Sequence, residues 1–459
     1  MSGIDEYIRS HRDAFEEELF DFLRIPSIST DSGHRDDVRR CAEWVAERIR
    51  EAGVSEVELV DTPGHPIVLG EHHVDDDAPT VLVYGHYDVQ PADPEELWDS
   101  PPFEPTVREG RVYARGATDD KGQVHMHLKA LEACHEATGR LPVNLKLVIE
   151  GEEEVGSVNV EEFLVEQRER LACDAVILSD TGMFEKGIPT ITTGLRGLVY
   201  FEVRFRGPSS DLHSGVYGGA VQNPANALAE VIGKLKDDRN RVTVPGFYDD
   251  VREITDQARE NMASLPFDET DFLEEVGASE LVGEEGFDTL ERVWYRPTLD
   301  VNGLLSGFTG EGAKTVLPAT AMAKISMRLV PDQDPHAISD AFDAYVRELA
   351  PRGIEVETTL FNEGLPWAVD PEGPLFDIVA EAMAAAFERE PVFIREGGSI
   401  PIVALFADTL GAPVAPIGFC LPGSNLHAPN EWMDLDVYHD GIEALARLYA
   451  LLGERGIGG

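Results

Sequence analysis

The chain has 459 residues, 42% of them hydrophobic, so it is long enough for two domains and too apolar to be disordered. Its formal net charge is −48, with 86 acidic residues against 38 basic ones, and this excess excludes nucleic acid and anionic membranes as expected partners. No apolar run reaches the length of a membrane span, and the first residues lack a signal-peptide pattern. We therefore expect a cytoplasmic protein.

Two features of the composition indicate the environment. The acidic residues are spread along the whole chain, and only 8 of the 38 basic residues are lysine. Such a diffuse acidic surface is typical of a halophilic protein, because concentrated salt screens its self-repulsion. The four cysteines are far apart and form no Cys-x-x-Cys pair, which predicts buried thiols in a reducing compartment.

Helical spacing of apolar residues over 4–24 and 35–52 precedes a short apolar run, Val81–Tyr84, that predicts a buried strand. His86 and Asp88 follow at once, two residues apart and so on one side of an extended chain. Ligands of an open α/β sheet bind beyond the carboxyl ends of its strands. His86 there could bind a metal while Asp88 holds the ring, although a loop histidine without a role is the alternative.

Acidic residues recur at the ends of later predicted elements. Asp119 and Asp120 precede a helix that begins near residue 121, where capping of that helix is the alternative role. The strand over 143–149 runs into an acidic segment, 150–154, and the strand over 175–178 is followed by Asp180. A solvated charge run is the alternative for 150–154. Together these positions predict a metal site of imidazole and carboxylate ligands.

The pattern changes at about Gly194. Strands predicted over 198–205, 319–330 and 354–360, with helices over 224–236 and 334–349, indicate a small α+β domain with helices on one sheet face. The earlier pattern resumes at 374, and another metal candidate, His427, lies beyond it. We therefore expect a catalytic domain formed by 1–193 and 363–459, with 194–362 inserted.

Eight segments resemble one family of enzymes: GHYDVQP, RGATDDKG, EGEEEVGS, LSDTG, DLHSGVYGG, GAKTVLP, REGGSIP and LPGSNLHAPNE. They are similar to the co-catalytic di-metal peptidases that include carnosinase, carboxypeptidase G, aminoacylase and acetylornithine deacetylase, and most similar to the carnosinase-like dipeptidase branch. The resemblance implies an α/β fold. It consists of a zinc-peptidase-like catalytic domain, with a central mixed sheet flanked by helices, and an inserted α+β lid or dimerisation domain.

The resemblance also implies roles for individual residues. Two divalent metal ions would be bound by His86, Asp119, Asp180, Glu154 and His427, with Asp119 bridging them. Glu153 would be the general base, Asp88 would orient His86, and His213 would stabilise the oxyanion, reaching the partner subunit's site in a homodimer. Substrate contacts would come from Arg328, Thr315 and Ser399.

The implied activity is hydrolysis of an amide bond in dipeptides or related N-acyl amino acids, by a water activated between two metal ions with Glu153 as base. Zn²⁺ is the first choice, and Mn²⁺ or Co²⁺ stays open because these ligands accept each ion. The alternatives are a dedicated N-acyl-amino-acid deacylase and a non-catalytic metal-binding protein, which would have no need of Glu153. Carnosinase-like relatives carry a histidine before a proline where this chain has Pro371-Glu372-Gly373-Pro374, so the exact substrate stays open.

Overall fold

The structure, a computed structural model, describes residues 2–398 and 400–457. The chain divides into two compact units. The first unit consists of Met1–Thr193, Asp370–Ile394 and Leu405–Gly459, and the second of Gly194–Val369 and Arg395–Ala404. The domain boundaries given above, and a lid or dimerisation role for the middle segment, stay a prediction.

The helices and strands are numbered in chain order. The helices span Ser2–Ser10 (α1), Arg12–Leu23 (α2), Arg35–Glu51 (α3), Lys121–Thr138 (α4), Val160–Glu166 (α5), Ser214–Tyr217 (α6), Pro224–Ile232 (α7), Asp256–Ser264 (α8), Glu269–Val276 (α9), Thr289–Trp294 (α10), Pro335–Leu349 (α11), Pro374–Phe387 (α12), Pro401–Leu410 (α13) and Leu435–Arg455 (α14). The strands span Glu56–Val60 (β1), Ile67–His72 (β2), Thr80–His86 (β3), Thr106–Arg108 (β4), Arg111–Tyr113 (β5), Asn144–Glu150 (β6), Ala175–Leu178 (β7), Thr190–Leu195 (β8), Gly197–Arg206 (β9), Leu212–His213 (β10), Thr298–Ser306 (β11), Val316–Leu317 (β12), Thr320–Leu329 (β13), Glu355–Gly364 (β14), Trp367–Ala368 (β15), Val392–Glu396 (β16), Val414–Pro416 (β17) and Trp432–Asp434 (β18).

A six-stranded sheet in the order β1-β2-β6-β3-β7-β17 organises the first unit. Its strands β6, β3, β7 and β17 run parallel, whereas β1 and β2 pair antiparallel at one side. Strands β3 and β7 are almost wholly buried, as continuous apolar runs in a parallel sheet are. The carboxyl ends of β3, β6 and β7 therefore meet at one edge, as the sequence predicts.

Helices cover this sheet. Helix α3 packs on β1 and β2, α4 contacts β3, and α14 packs against α4 and α12. Helix α4 is buried along most of its length, including two histidines with hydroxyl partners. The Nδ1 atom of His125 lies 2.8 Å from the Tyr438 hydroxyl, and that of His127 lies 2.6 Å from the Tyr449 hydroxyl. Both tyrosines belong to α14, so these contacts hold α4 against α14.

The second unit is built on a four-stranded antiparallel sheet in the order β11-β13-β9-β14. Alternate residues of β9 are buried, as its sequence predicts, and they form a core with α7 and α11. A bulge interrupts the edge strand β11 between Val301 and Gly303. Beyond it both Leu304 and Leu305 are more than half exposed, at 62% and 56%.

All four cysteines are free thiols, and three of them are buried. Within residues 2–398 and 400–457, no helix is both long enough and apolar enough to cross a membrane.

Candidate metal centre

His86 is the last residue of β3 and is fully buried. Its backbone N–H donates to Asp120 Oδ2 at 3.1 Å. Its Nδ1 lies 3.1 Å from the carbonyl oxygen of Asp88 and 3.3 Å from the Asp88 carboxylate. These contacts fix the imidazole with Nε2 turned to the far side, so that nitrogen is the one available as a ligand.

Asp119 lies between two imidazoles. Its Oδ1 is 3.1 Å from His86 Nε2, and its Oδ2 is 2.9 Å from His427 Nε2. The neighbouring Asp120 is the N-cap residue of α4 but makes no side-chain capping hydrogen bond. The capping alternative is therefore wrong for Asp120, and Asp119 offers each of its two oxygens to a different histidine.

A short 3₁₀ turn over Glu153–Val155 follows β6 and presents two glutamates. The Asp88 carboxylate accepts the backbone N–H groups of Glu153 and Glu154, at 3.3 and 3.2 Å. A side chain at Gly151 would collide with the Tyr87 hydroxyl, 2.3 Å from an added Cβ, so only glycine allows this close approach. Asp88 thus joins the histidine-bearing strand end to the acidic turn.

His427 lies in a loop with unusual backbone geometry. Asn425, His427 and Asn430 all have positive φ, at 59°, 58° and 62°. Left-handed conformations are uncommon for residues other than glycine and concentrate at functional sites. In this conformation His427 Nε2 lies 2.9 Å from Asp119 and 3.4 Å from Glu154 Oε2.

These residues form two sets of donor atoms. One set is His86, Asp119 and Asp180, the other is Asp119, Glu154 and His427, and within each set the donor atoms lie within 4.8 Å of one another. Imidazole and carboxylate donors that converge on a shared aspartate suit a pair of borderline or hard divalent ions. The side chains therefore fit a two-metal site, and Glu153 belongs to neither set.

The electrostatics favour a cation at this position. Burial raises the pKa of Glu154 to about 8, and the Asp119 charge adds to the effect. Burial also raises the pKa of Asp180 well above its ordinary value, and repulsion by the Asp120 carboxylate raises it further. Burial likewise raises the pKa of Glu153. A divalent ion would relieve this crowding by stabilising the ionised carboxylates.

The pKa values of the two imidazoles are raised as well, which favours their charged form. The hydrogen bond with Asp119 raises the pKa of His427 to about 9. Burial alone would lower the pKa of His86, but its hydrogen bonds with Asp119 and Asp88 raise it well above the ordinary value. Burial would raise the pKa of Asp119, yet its bonds with His427 and His86 hold it below the ordinary value.

Four residues implied by the resemblance lie elsewhere in the sequence. His213 ends β10 and is exposed, and the N–H of Ser214 donates to the carbonyl oxygen of Thr315 at 3.1 Å. Arg328 lies on β13, where burial lowers its pKa. Ser399 lies outside the described residues. The second unit thus brings His213 and Thr315 together on neighbouring segments.

The sequence analysis overlooked two polar residues around the site. Gln90 donates from Nε2 to Glu154 Oε2 at 2.7 Å. Glu431 is fully buried and accepts the backbone N–H of Asp119 at 3.2 Å. Their only signal was their position inside the GHYDVQP and LPGSNLHAPNE segments.

A mixed α/β unit that gathers imidazoles and carboxylates around one shared aspartate, beyond the ends of parallel strands, is the framework of a metal-dependent hydrolase. The sequence model of Peptidase family M20/M25/M40 matches residues 82–450, and the chain belongs to this family. It is a metallopeptidase, and the resemblance inferred from its motifs is confirmed.

Full-length similarity extends to individual proteins. The Cys-Gly metallodipeptidase dug1 of Schizosaccharomyces pombe is 34% identical over 458 residues, which cover 96% of each protein. The Beta-Ala-His dipeptidase of Homo sapiens is 31% identical over 473 residues, which cover 98% of this chain and 92% of the human protein. The solved structure of the dipeptidase Dug1p from Saccharomyces cerevisiae has a TM-score of 0.86 at 30% identity and covers 99% of each chain. The fold class predicted from the sequence is confirmed.

Proposed function

We propose that the protein hydrolyses the amide bond of dipeptides, and of related N-acyl amino acids, with two divalent ions. The observation that carries the proposal is Asp119, whose two carboxylate oxygens each face a different imidazole. Glu153 lies beside these donors but belongs to neither donor set, which suits a group that moves protons. The Cys-Gly and Beta-Ala-His dipeptidases are relatives whose names fit this substrate class.

We assign one ion to His86, Asp119 and Asp180 and the other to Asp119, Glu154 and His427. When bound, such ions supply positive charge that polarises a scissile carbonyl and increases the acidity of water. The chain's own contribution is to fix the donors: Asp88 holds His86, and Gln90 holds Glu154. We infer Zn²⁺ as the native ion, with Mn²⁺ and Co²⁺ as alternatives that elemental analysis distinguishes.

Glu153 acts as the general base. Its carboxylate accepts a proton from the attacking water, whose oxygen forms the new bond to the amide carbon. The carbon–nitrogen bond then breaks, and Glu153 returns the proton to the leaving amine. Burial raises the pKa of Glu153, which brings this carboxyl nearer to the pH at which it can both accept and return a proton.

We also propose roles for residues of the second unit. The Nδ1 atom of His213 accepts the N–H of Gly215 at 3.0 Å, so in the neutral ring Nε2 carries the proton. That N–H is a donor suited to an oxyanion. Arg328 is suited to the substrate carboxylate because a guanidinium can bind it with two parallel hydrogen bonds, and Thr315 and Ser399 would add polar contacts.

We further propose a homodimer in which His213 serves the partner subunit's site. The exposed apolar residues of edge strand β11, Leu304 and Leu305, support an interface there, because such an edge invites pairing with a second copy. The four free thiols are consistent with a reducing compartment, and we infer a cytoplasmic location. The net charge of −48 supports adaptation to concentrated salt.

Substrate choice is tested with a panel assayed before and after metal removal by a chelator. We expect hydrolysis of Cys-Gly and other dipeptides, loss of activity on chelation, and recovery with Zn²⁺, Mn²⁺ or Co²⁺. Turnover of acetylated or succinylated amino acids with no turnover of dipeptides would identify a dedicated deacylase instead. No chelator-sensitive turnover of any amide would contradict the proposal.

A further inference from the structure

The side chain of Glu431 is fully buried, and its carboxylate accepts four hydrogen bonds. One carboxylate oxygen, Oε1, accepts the backbone N–H groups of Thr118 and Asp119, at 3.0 and 3.2 Å. The other, Oε2, accepts the N–H of Gly116 at 3.0 Å and Nη1 of Arg115 at 2.7 Å. A carboxylate satisfied on both oxygens in this way fixes the backbone that it contacts. The fixed segment is the one that presents Asp119.

The same ion pair reaches two further loops. Arg115 is also buried, and its Nη2 donates to the carbonyl oxygen of Pro91 at 3.0 Å. The residue before Pro91 is Gln90, whose side chain donates to Glu154 Oε2 at 2.7 Å. Glu431 itself closes the loop that carries His427, four residues earlier in the chain. The segments that present Asp119 and His427 therefore meet at one buried ion pair, and Glu154 is linked to that pair through Gln90 and Pro91.

The other donor set is held differently. His86 ends strand β3, and Asp180 follows strand β7, its parallel neighbour in the sheet. The contacts that fix the His86 ring and backbone come from Asp88 and Asp120. Both sets share Asp119. Apart from that residue, the set with His86 takes its ligands from strand ends, whereas the set with His427 takes them from loops.

We propose that Glu431 and Arg115 are positioning residues for the ion bound by Asp119, Glu154 and His427. The ion bound by His86, Asp119 and Asp180 shares only Asp119 with that site and takes its other two ligands from strand ends, so it depends less on the two positioning residues. This inference rests on the ligand sets of the proposed function. Residues that hydrogen-bond to metal ligands and orient them typically contribute 10- to 100-fold to metal affinity. We expect an effect of that size only on the ion that involves His427.

The test measures each ion separately. Asp180→Asn removes a ligand of the ion at the strand ends, so the ion that involves His427 can be titrated alone. Glu154→Gln does the reverse. Glu431→Gln is added to each background, and the Kd for Zn²⁺ is measured by competition with a chromophoric chelator. We expect the Kd to rise about 10- to 100-fold in the Asp180→Asn background and less than about threefold in the Glu154→Gln background. Equal increases in both backgrounds, or none in either, would overturn the inference.

A matched control separates positioning from general stability. Glu284 and Arg296 form a second buried pair, in the second unit, joined by two hydrogen bonds of 2.8 Å. Glu284→Gln should lower the Tm as Glu431→Gln does, yet leave the Zn²⁺ Kd within about twofold in both backgrounds. A shift in Kd equal to that of Glu431→Gln would mean that any buried ion pair has this effect, which contradicts the proposal.

A milder variant keeps the test usable if Glu431→Gln does not fold. Arg115→Lys retains a positive charge beside Glu431, but an ammonium does not reproduce the forked reach of a guanidinium to both Glu431 and Pro91. We expect the Zn²⁺ Kd to rise only in the Asp180→Asn background, and an unchanged Kd there contradicts the positioning role of Arg115 and Glu431. Failure of the wild-type protein to bind two Zn²⁺ ions would instead contradict the proposed ligand sets.

Discussion

The adjacent residues Glu153 and Glu154 should respond in different ways to the same substitution. Glu153→Gln preserves the side-chain shape and leaves the backbone N–H that Asp88 accepts untouched. Because Glu153 belongs to neither donor set, both metal ions should stay bound. Loss of a general base lowers kcat by about 10²- to 10⁴-fold, which corresponds to about 3–5 kcal/mol in the activation barrier.

Glu154→Gln should instead weaken one ion. Glu154 Oε2 accepts from Gln90 at 2.7 Å and lies 3.4 Å from His427 Nε2. An amide that keeps its oxygen at this position still accepts from Gln90, but it carries no negative charge to attract the cation. Loss of an interaction with a charged group costs about 1–3 kcal/mol, or about 5- to 150-fold in affinity.

The two variants are compared by elemental analysis after gel filtration, beside kcat for a dipeptide at increasing metal concentrations. We expect two ions and low kcat that added metal does not change for Glu153→Gln. For Glu154→Gln we expect one ion and a rate that excess metal partly restores. Equal metal loss in both variants, or rescue of Glu153→Gln by metal, would refute the assignment of base and ligand.

Four further predictions test other parts of the molecule. The Tm should rise from low to molar KCl, where the Debye length is about 3 Å, and an unchanged Tm would contradict salt adaptation. His213→Ala should keep its metal and lose about 10²- to 10³-fold in kcat, and mixing it with Glu153→Gln should restore activity; verified exchange without recovery would place His213 in its own subunit's site or outside catalysis. Burial lowers the pKa of His127 to about 3, so below pH 6.5 the unfolded chain binds a proton that the folded chain does not. As the pH is lowered from 6.5 to 4, the unfolding free energy of the metal-free protein should therefore fall by up to about 1.4 kcal/mol per pH unit from this group. His127→Gln should make the unfolding free energy from urea denaturation less dependent on pH over this range; an unaltered dependence would contradict the lowered pKa. Leu304→Glu should yield monomers in sedimentation, whereas Val282→Glu, at a position 71% exposed, should not; a dimeric Leu304→Glu would move the interface away from β11.

The arrangement of the strand ends could be predicted from the sequence because it depends on local pattern. Continuous apolar runs predict buried parallel strands, and the residues just after such strands meet at one edge of the sheet. His86 and Asp180 are brought together in this way. Local pattern also predicted β9, whose alternate residues are buried.

What could not be predicted depends on contacts between distant segments or on local irregularity. Glu431 accepts hydrogen bonds from residues more than 300 positions earlier, and nothing in its local sequence distinguishes it from a surface acid. Strand β11 was missed because Asn302 and Gly303 interrupt its pattern. The bulge there leaves Leu304 and Leu305 both exposed, which breaks the alternation that identifies a strand.

The distribution of the ligands along the chain has a consequence for biosynthesis. His86, Asp119 and Asp180 all precede the second unit, whereas His427 and strand β17, which pairs with β7, follow it. At ordinary translation rates the roughly 250 residues between Asp180 and His427 take about 10–50 s to synthesise. Throughout that interval the nascent chain can assemble one complete donor set but not the other, and the edge of β7 is without its last neighbour. On the proposed ligand sets, we therefore expect the ion at the strand ends to be bound before the other.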